Sequence, residues 1–257
     1  MDRLRFYLVF IIGFVIYFYI DANFFALILK SVFSVTYSKA LGHVTAYMIT
    51  LIPLFITVGI LHKDYRHIPE KLGLSDSVSR GISFAVIATL PMLIGFIFKF
   101  DLNKALSYDT IIINTISAAF FEELIYRGFL FGQLYRYTQL GFFPSVFLGS
   151  LLFGSAHLYQ GNDIGELIQI FMLTCLGSVL FSWIYAEWKF NLWTAIFLHC
   201  FMNLYWLIFD VDTNALGGVY ANIFRFSTIF IAIGGTVLYK KYKQIPLEIT
   251  KKTCWIK

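Results

Sequence analysis

Eight stretches of this chain run for roughly a bilayer's width with few charges: 5–20, 41–61, 81–100, 111–133, 144–160, 164–186, 191–209 and 217–239. A helix needs about 20 apolar residues, at 1.5 Å rise each, to cross the hydrocarbon. Seven of the runs come near that and the fifth is short. Apolar residues within them are continuous rather than alternating, so they read as helices and not as strands of an outer-membrane barrel. Only 14% of the 257 residues are charged, against about 25% in soluble domains. The mean hydropathy is +0.74. The expected fold is all-α, a polytopic membrane helix bundle with about eight transmembrane helices. Residues 23–37, interrupted by Lys30, are expected as an interfacial or re-entrant helix, with a ninth span as the weaker alternative.

Orientation follows from the bias of Lys and Arg toward cytoplasmic loops. With the N-terminus inside, the inner segments 1–4, 62–80, 134–143, 187–190 and 240–257, taken loosely at their edges so that Arg5 is included, hold 14 of the 20 basic residues. The N- and C-termini are therefore expected to be cytoplasmic. The net charge of +5 is accounted for by this topology, and nothing points to nucleic acid. The start of the chain resembles a signal peptide, but no small-x-small cleavage site follows, so it is kept as the first span. Cys175, Cys200 and Cys254 form no CxxC pair, which argues against a disulfide or zinc–thiolate framework. Cys254 lies four from the end, but the terminal Lys257 and neighbouring Trp255 do not suit prenylation; the segment reads as a basic cytoplasmic tail. No linker or internal repeat divides the chain, so residues 1–257 are expected to form a single transmembrane domain with a motif-bearing core over 111–209. The loop from His62 to Arg80 is its longest polar stretch.

One span is anomalous. Glu122, Glu123 and Arg127 sit within 111–133. Three unpaired charges at mid-membrane would oppose insertion by roughly 7–10 kcal/mol, so such groups normally face a polar cavity. Glu123 and Arg127 are i,i+4 neighbours and can pair. Glu122, turned about 100° away, is left for another purpose. Asp109-Thr110 is expected to cap this helix, and Gly128 with Gly132 offers close backbone approach. Two other spans add polar groups: His157 ends the fifth, and His199 and Asn203 share one face of the seventh. Together these supply what a water-activating hydrolytic site requires, namely a base, its partner and oxyanion donors.

The run Phe121-Glu-Glu-Leu-Ile-Tyr-Arg127 resembles the EExxxR motif of the CAAX-protease and bacteriocin-processing (CPBP, or Abi) family. Phe153-Gly-Ser-Ala-His157 is similar to its FxxxH motif and His199-Cys-Phe-Met-Asn203 to its HxxxN motif, in the family's order. The resemblance implies an intramembrane endopeptidase acting on a peptide or a membrane-associated protein in the lipid bilayer. By motif, Glu122 would be the general base for water and His157 would help hold it. His199 and Asn203 would stabilise the oxyanion, where each donor is typically worth about 2.7–4 kcal/mol. Glu123 with Arg127 would orient the helix. Short loops and the lack of an appended domain fit a small bacterial member, in the cell membrane.

Metal use stays open at this point. Glu122, His157 and His199 could form a His₂Glu zinc set, but there is no HExxH, and a metal-independent glutamate mechanism is slightly favoured. Depth poses a difficulty. Counted along the helices, Glu122 and His199 lie roughly 16 and 12 Å from the inner face and His157 nearer 20 Å. The three meet only if the fifth helix is tilted or starts later than 144. Arg225 reads as snorkelling to the outer interface, with binding of a substrate carboxylate or phosphate as the minority reading. His43, His62 and His67 read as interface or loop residues. Two rival functions remain: a non-catalytic peptide-binding or bacteriocin-immunity protein, and, less favoured, a transporter.

Overall fold

In hydrocarbon every backbone N–H and C=O must find a partner within the protein, and a helix achieves this inside one segment. The computed structural model describes residues 3–257; Met1 and Asp2, which open the inner segment 1–4, lie outside the described residues. Among those described, every named element is helical, and Leu140 and Ile256 form an isolated antiparallel bridge. The chain runs through α1 (Arg3–Thr36), α2 (Lys39–Thr50), α3 (Ile52–His62), a one-turn α4 (Ile68–Lys71) and α5 (Val78–Lys99). A rod over 108–137 follows, made of α6 (Tyr108–Ile111), α7 (Ala118–Glu123) and α8 (Gly132–Tyr137) joined by π-helical runs Ile112–Ser117 and Leu124–Phe131. Then come α9 (Phe142–Ala156), α10 (Ile164–Glu187), α11 (Leu192–Ile208) and α12 (Val219–Tyr242).

All eight apolar runs are thus helical. Six helices are long and apolar enough to cross a membrane: α1, α2 with α3 taken as Lys39–His62, α5, α9 extended to Gln160, α10 and α12. They make this an integral membrane protein. Helix α11 is apolar but only 17 residues long. Between α2 and α3 the helix breaks at Leu51, because Pro53 in the first turn of α3 has no N–H to donate.

Burial is inverted relative to a soluble protein. Thr50, Thr89, Ser178, Ser182, Thr228 and Thr236 are buried, whereas Leu4, Ile12, Phe18, Phe98, Phe230 and Leu238 are exposed. Lipid tails are as apolar as leucine, so helices gain nothing by hiding leucine from them. They associate through small residues that pack closely instead. The buried hydroxyls of Thr89, Ser182 and Thr236 satisfy themselves on the carbonyl four residues back. Helices α1, α2 and α3 form one group, α5, α11 and α12 another, and α9 pairs with α10. The 108–137 rod packs against α2, α9, α10 and α11 and so lies between the groups.

Several local expectations are corrected. Residues 23–36 are not a separate re-entrant helix; they continue α1 as one 34-residue helix, about 51 Å long. No Gly or Pro stands between Phe14 and Thr36 to stop it, and Lys30 is simply exposed. Ser107, not Asp109, caps the rod by accepting from the Thr110 N–H. Asp109 caps α2 instead, accepting from the N–H groups of Ala40 and Lys39 and from the Ser38 hydroxyl. The Ala40 N–H above all holds its carboxyl below the usual range. The loop from His62 to Arg80 folds under the rod: Gln133 and Arg136 both donate to the Lys71 carbonyl, and Leu192 N–H to that of Gly73. Gly73 has φ +84°, a backbone that a side chain would strain.

The C-terminal segment is a strap rather than a free basic tail. Its carbonyls at Thr253, Cys254 and Trp255 accept the N–H groups of Phe142, Phe143 and Gly141, so the strap caps the start of α9. Buried Glu187 fastens its near end, taking Lys240 Nζ and the backbone N–H groups of Glu248 and Ile249. The three cysteines are free.

Gly81 allows α5 to lie directly against α11: a Cβ there would come within 2.7 Å of the Trp193 backbone. Gly81→Ala is expected to force these helices apart, at about 1–3 kcal/mol as overpacking typically costs. Thermal unfolding in detergent checks this, and an unshifted midpoint would show that the contact yields.

Candidate active site

The helix that carries Glu122 and Glu123 is not a regular α-helix. A single α-helical stretch, α7, is flanked on both sides by π-helical turns. Bonding to the fifth residue back widens the helix and re-aims side chains, and such turns concentrate at functional sites. Two glycines suit the second π run. A Cβ on Gly132 would stand 2.7 Å from the Arg127 carbonyl, to which the Gly132 N–H bonds. At Gly128 the Leu72 carbonyl lies 3.2 Å from where a Cβ would be, so the expected close approach is made by the loop under the rod.

Glu123 is fully buried, and its Oε1 accepts from Arg127 Nη1 at 2.9 Å and lies 2.8 Å from His199 Nδ1. Arg127 is buried to 1% exposure, with the rings of Phe153 and Phe181 at 4.7 and 5.3 Å from its guanidinium carbon. Glu122 faces another way and keeps 22% of its side chain accessible. His199 Nε2 stands 4.0 Å from Glu122 Oε2. That oxygen has no hydrogen-bond partner in the protein, nor have Glu123 Oε2 and Arg127 Nε. One carboxylate is therefore tied into an ion cluster and its neighbour is free on the side of the imidazole.

Glu122, His157, His199 and Asn203 line one cavity of about 1230 Å³. His157 lies just past the end of α9, and its Nδ1 is 2.7 Å from the Phe153 carbonyl. A carbonyl only accepts, so Nδ1 carries the proton and Nε2 is an acceptor in the neutral ring. His157 and Glu122 line the same cavity, although α9 starts at Phe142, earlier and not later than the run drawn from the sequence. Asn203 donates one N–H to the Asn114 carbonyl, 3.0 Å away in the first π run.

Some contributors were not singled out in the sequence. Phe153 covers Arg127, supplies the carbonyl that holds His157 and places its ring 4.5 Å from that imidazole; its place in the FxxxH pattern was the available signal. Asp21, the one acidic residue of α1, lines the cavity and accepts from Thr50. His43 is not merely an interface residue: it lines the cavity, with Nδ1 3.0 Å from Ser117 Oγ. Asn114 lay in an apolar run with no pattern to mark it. Arg225 does not snorkel. It is 7% exposed, lines the cavity and stacks on Trp206 at 4.3 Å.

The alternative zinc set does not gather. Among the described residues no three His, Cys, Asp or Glu side chains stand close enough to hold a metal ion. Glu122, His157 and His199 as placed do not form a three-donor site.

Comparison with known proteins falls on this same region. Residues 105–205 match the family described as Rce1-like, type II CAAX prenyl endopeptidase Rce1-like. Over 102 residues the chain is 31% identical to "Putative membrane peptidase YdiL" of Bacillus subtilis (strain 168), covering 40% of this chain and 37% of that one. The match thus spans just over a third of that relative's length. No solved structure matches the chain. The matched segment takes in the rod, α9, α10 and most of α11, so the similarity to the Rce1-like family lies in the part of the chain that carries Glu122, His157, His199 and Asn203.

Proposed function

We propose that this protein is an intramembrane endopeptidase that hydrolyses a peptide bond with a water activated by Glu122. The observation that carries the reading is the contrast between adjacent carboxylates. Glu123 is fully buried in an ion cluster, while Glu122 keeps 22% of its side chain accessible, with its Oε2 buried and unpaired and His199 Nε2 4.0 Å from it.

Each group then has a defined task. Glu122 takes a proton from water as the oxygen attacks the carbonyl carbon, and later delivers it to the leaving amine. His157 Nε2, the free acceptor of its ring, helps orient that water. Glu123 accepts the Nδ1 proton of His199 and fixes the ring. With His199 protonated, Nε2–H becomes a donor to the oxyanion, and Glu122, Glu123, Arg127 and His199 sum to zero charge. The second N–H of Asn203 is the other oxyanion donor, its first being anchored on Asn114. The substrate is a peptide or a membrane-associated protein. We place the protein in a bacterial cell membrane, as one unit of eight spans with both termini cytoplasmic. The eight helical rods and the Lys/Arg bias support that arrangement.

Glu122→Gln keeps the size and hydrogen bonding of the side chain but removes the base. Cleavage of a mixed peptide library, read by mass spectrometry, is expected to fall at least about 100-fold. Equal cleavage by both proteins would remove Glu122 from the mechanism, and no cleavage by folded wild type would favour a peptide-binding protein. Asn203→Ala should lower kcat by about 10²–10³-fold, as loss of one oxyanion donor does. Glu123→Ala leaves Arg127 buried without its partner, so it should destabilise the fold by about 3–5 kcal/mol. A detergent melting curve like that of wild type would contradict this.

A further inference from the structure

The cavity reaches well beyond the proposed catalytic groups. At another part of its wall lie Trp206, two helical turns past His199 on α11, and Arg225 on α12. Seven residues at 1.5 Å make that step about 10 Å along α11, a few extended peptide residues at about 3.3 Å each.

Arg225 has an incomplete set of partners. Its guanidinium lies over the Trp206 ring at 4.3 Å, and the residue is 93% buried (7% exposed). The stack satisfies the face of the cation but none of its five N–H donors. No carboxylate lies within ion-pair distance of it among the described residues, and no hydrogen bond from it to the protein is made. Asp212 is the acid whose field reaches it, but Asp212 Oδ1 is engaged by the Asn214 N–H and the Thr213 hydroxyl of its own turn. Arg127, the other buried arginine of the cavity wall, is by contrast paired with Glu123. A planar cation, desolvated, backed by an aromatic face and open to a peptide-sized cavity, is built to receive a planar anion.

We propose that Arg225, backed by Trp206, binds a carboxylate of the peptide substrate, the free C-terminal carboxylate or an acidic side chain near it. This rests on the endopeptidase reading and adds a specificity determinant to it. The anchored end of the peptide lies along α11 from His199, so the chain is drawn across Glu122 in extended form. A peptide whose end is amidated loses the charge that Arg225 recognises.

The test uses full-length protein carrying Glu122→Gln, so that binding is read without turnover. Three dye-labelled octapeptides of Leu, Ile and Phe serve as probes: one ending in a free carboxylate, its C-terminal amide, and an amide with Asp as last residue. Binding is followed by fluorescence anisotropy. The free acid is expected to bind about 10- to 100-fold more tightly than the plain amide, the range of a charged hydrogen bond. Adding Arg225→Gln should bring this ratio close to one, and Arg225→Lys should restore part of it. A ratio within one variant does not depend on how much of it is folded. Tight binding of the Asp peptide would identify a side-chain carboxylate as the ligand, and weak binding would identify the C-terminus; either supports the anchor. Equal binding of all three peptides, a preference that survives Arg225→Gln, or binding of none of the three overturns it. Wild-type protein with the same peptides separates the two readings. Binding through Arg225 without cleavage keeps the anchor and sinks the peptidase, whereas cleavage blind to amidation does the reverse.

Discussion

The buried cluster of Glu123, Arg127 and His199 is the contact around which this bundle is organised. Burying two full charges costs several kcal/mol per ion, and only tight geometry offsets it. The structure supplies that geometry from four elements: the rod gives the ion pair, α11 gives the imidazole at 2.8 Å, and α9 with α10 covers the guanidinium with Phe153 and Phe181. Displacing any of these elements would leave a charge exposed to an apolar interior. Even so, Glu123 Oε2 and Arg127 Nε stay unsatisfied, so the cluster is not an optimum of stability. Its value lies in holding α11 and α9 at one register against the rod.

That register gives two neighbouring glutamates different environments. Glu123 is sealed and Glu122 looks into the cavity, a division that comes from the angle between successive helical residues. The π turns on either side adjust the same rod to its surroundings. Gly132 tolerates the widened turn, Gly128 admits the Leu72 carbonyl, and Asn114 presents a carbonyl to Asn203. Outside the rod, the polar loop and the C-terminal strap are fastened to the helix ends through Lys71, Gly73 and Glu187.

The cavity carries unlike charges at separate places: an unpaired carboxylate oxygen at Glu122 and an unpaired cation at Arg225. Between them runs one face of α11, with His199, Asn203 and Trp206 four and then three residues apart. A single helix therefore sets the spacing between the groups that would cut a chain and the group that would hold its end.

Composition and local pattern determined a good deal by themselves. Eight apolar runs could only become helices, because hydrocarbon leaves the backbone no other partner, and the i,i+4 spacing of Glu123 and Arg127 made their pairing legible. The three motifs also marked Glu122, Glu123, Arg127, His157, His199 and Asn203, which lie along one cavity. What the sequence left undecided depends on neighbours. Residues 23–36 joined α1 because nothing local stopped the helix; Asp109 turned to α2, and the tail became a strap, because distant N–H groups needed acceptors. His43, Asp21 and Arg225 looked like isolated polar residues in apolar runs, and only helix packing brought them to one cavity. Which nitrogen of His199 meets Glu123, and that Arg225 stacks on Trp206 without a counter-ion, were decided by tertiary structure alone. Those contacts join helices far apart in sequence, where no periodicity reaches.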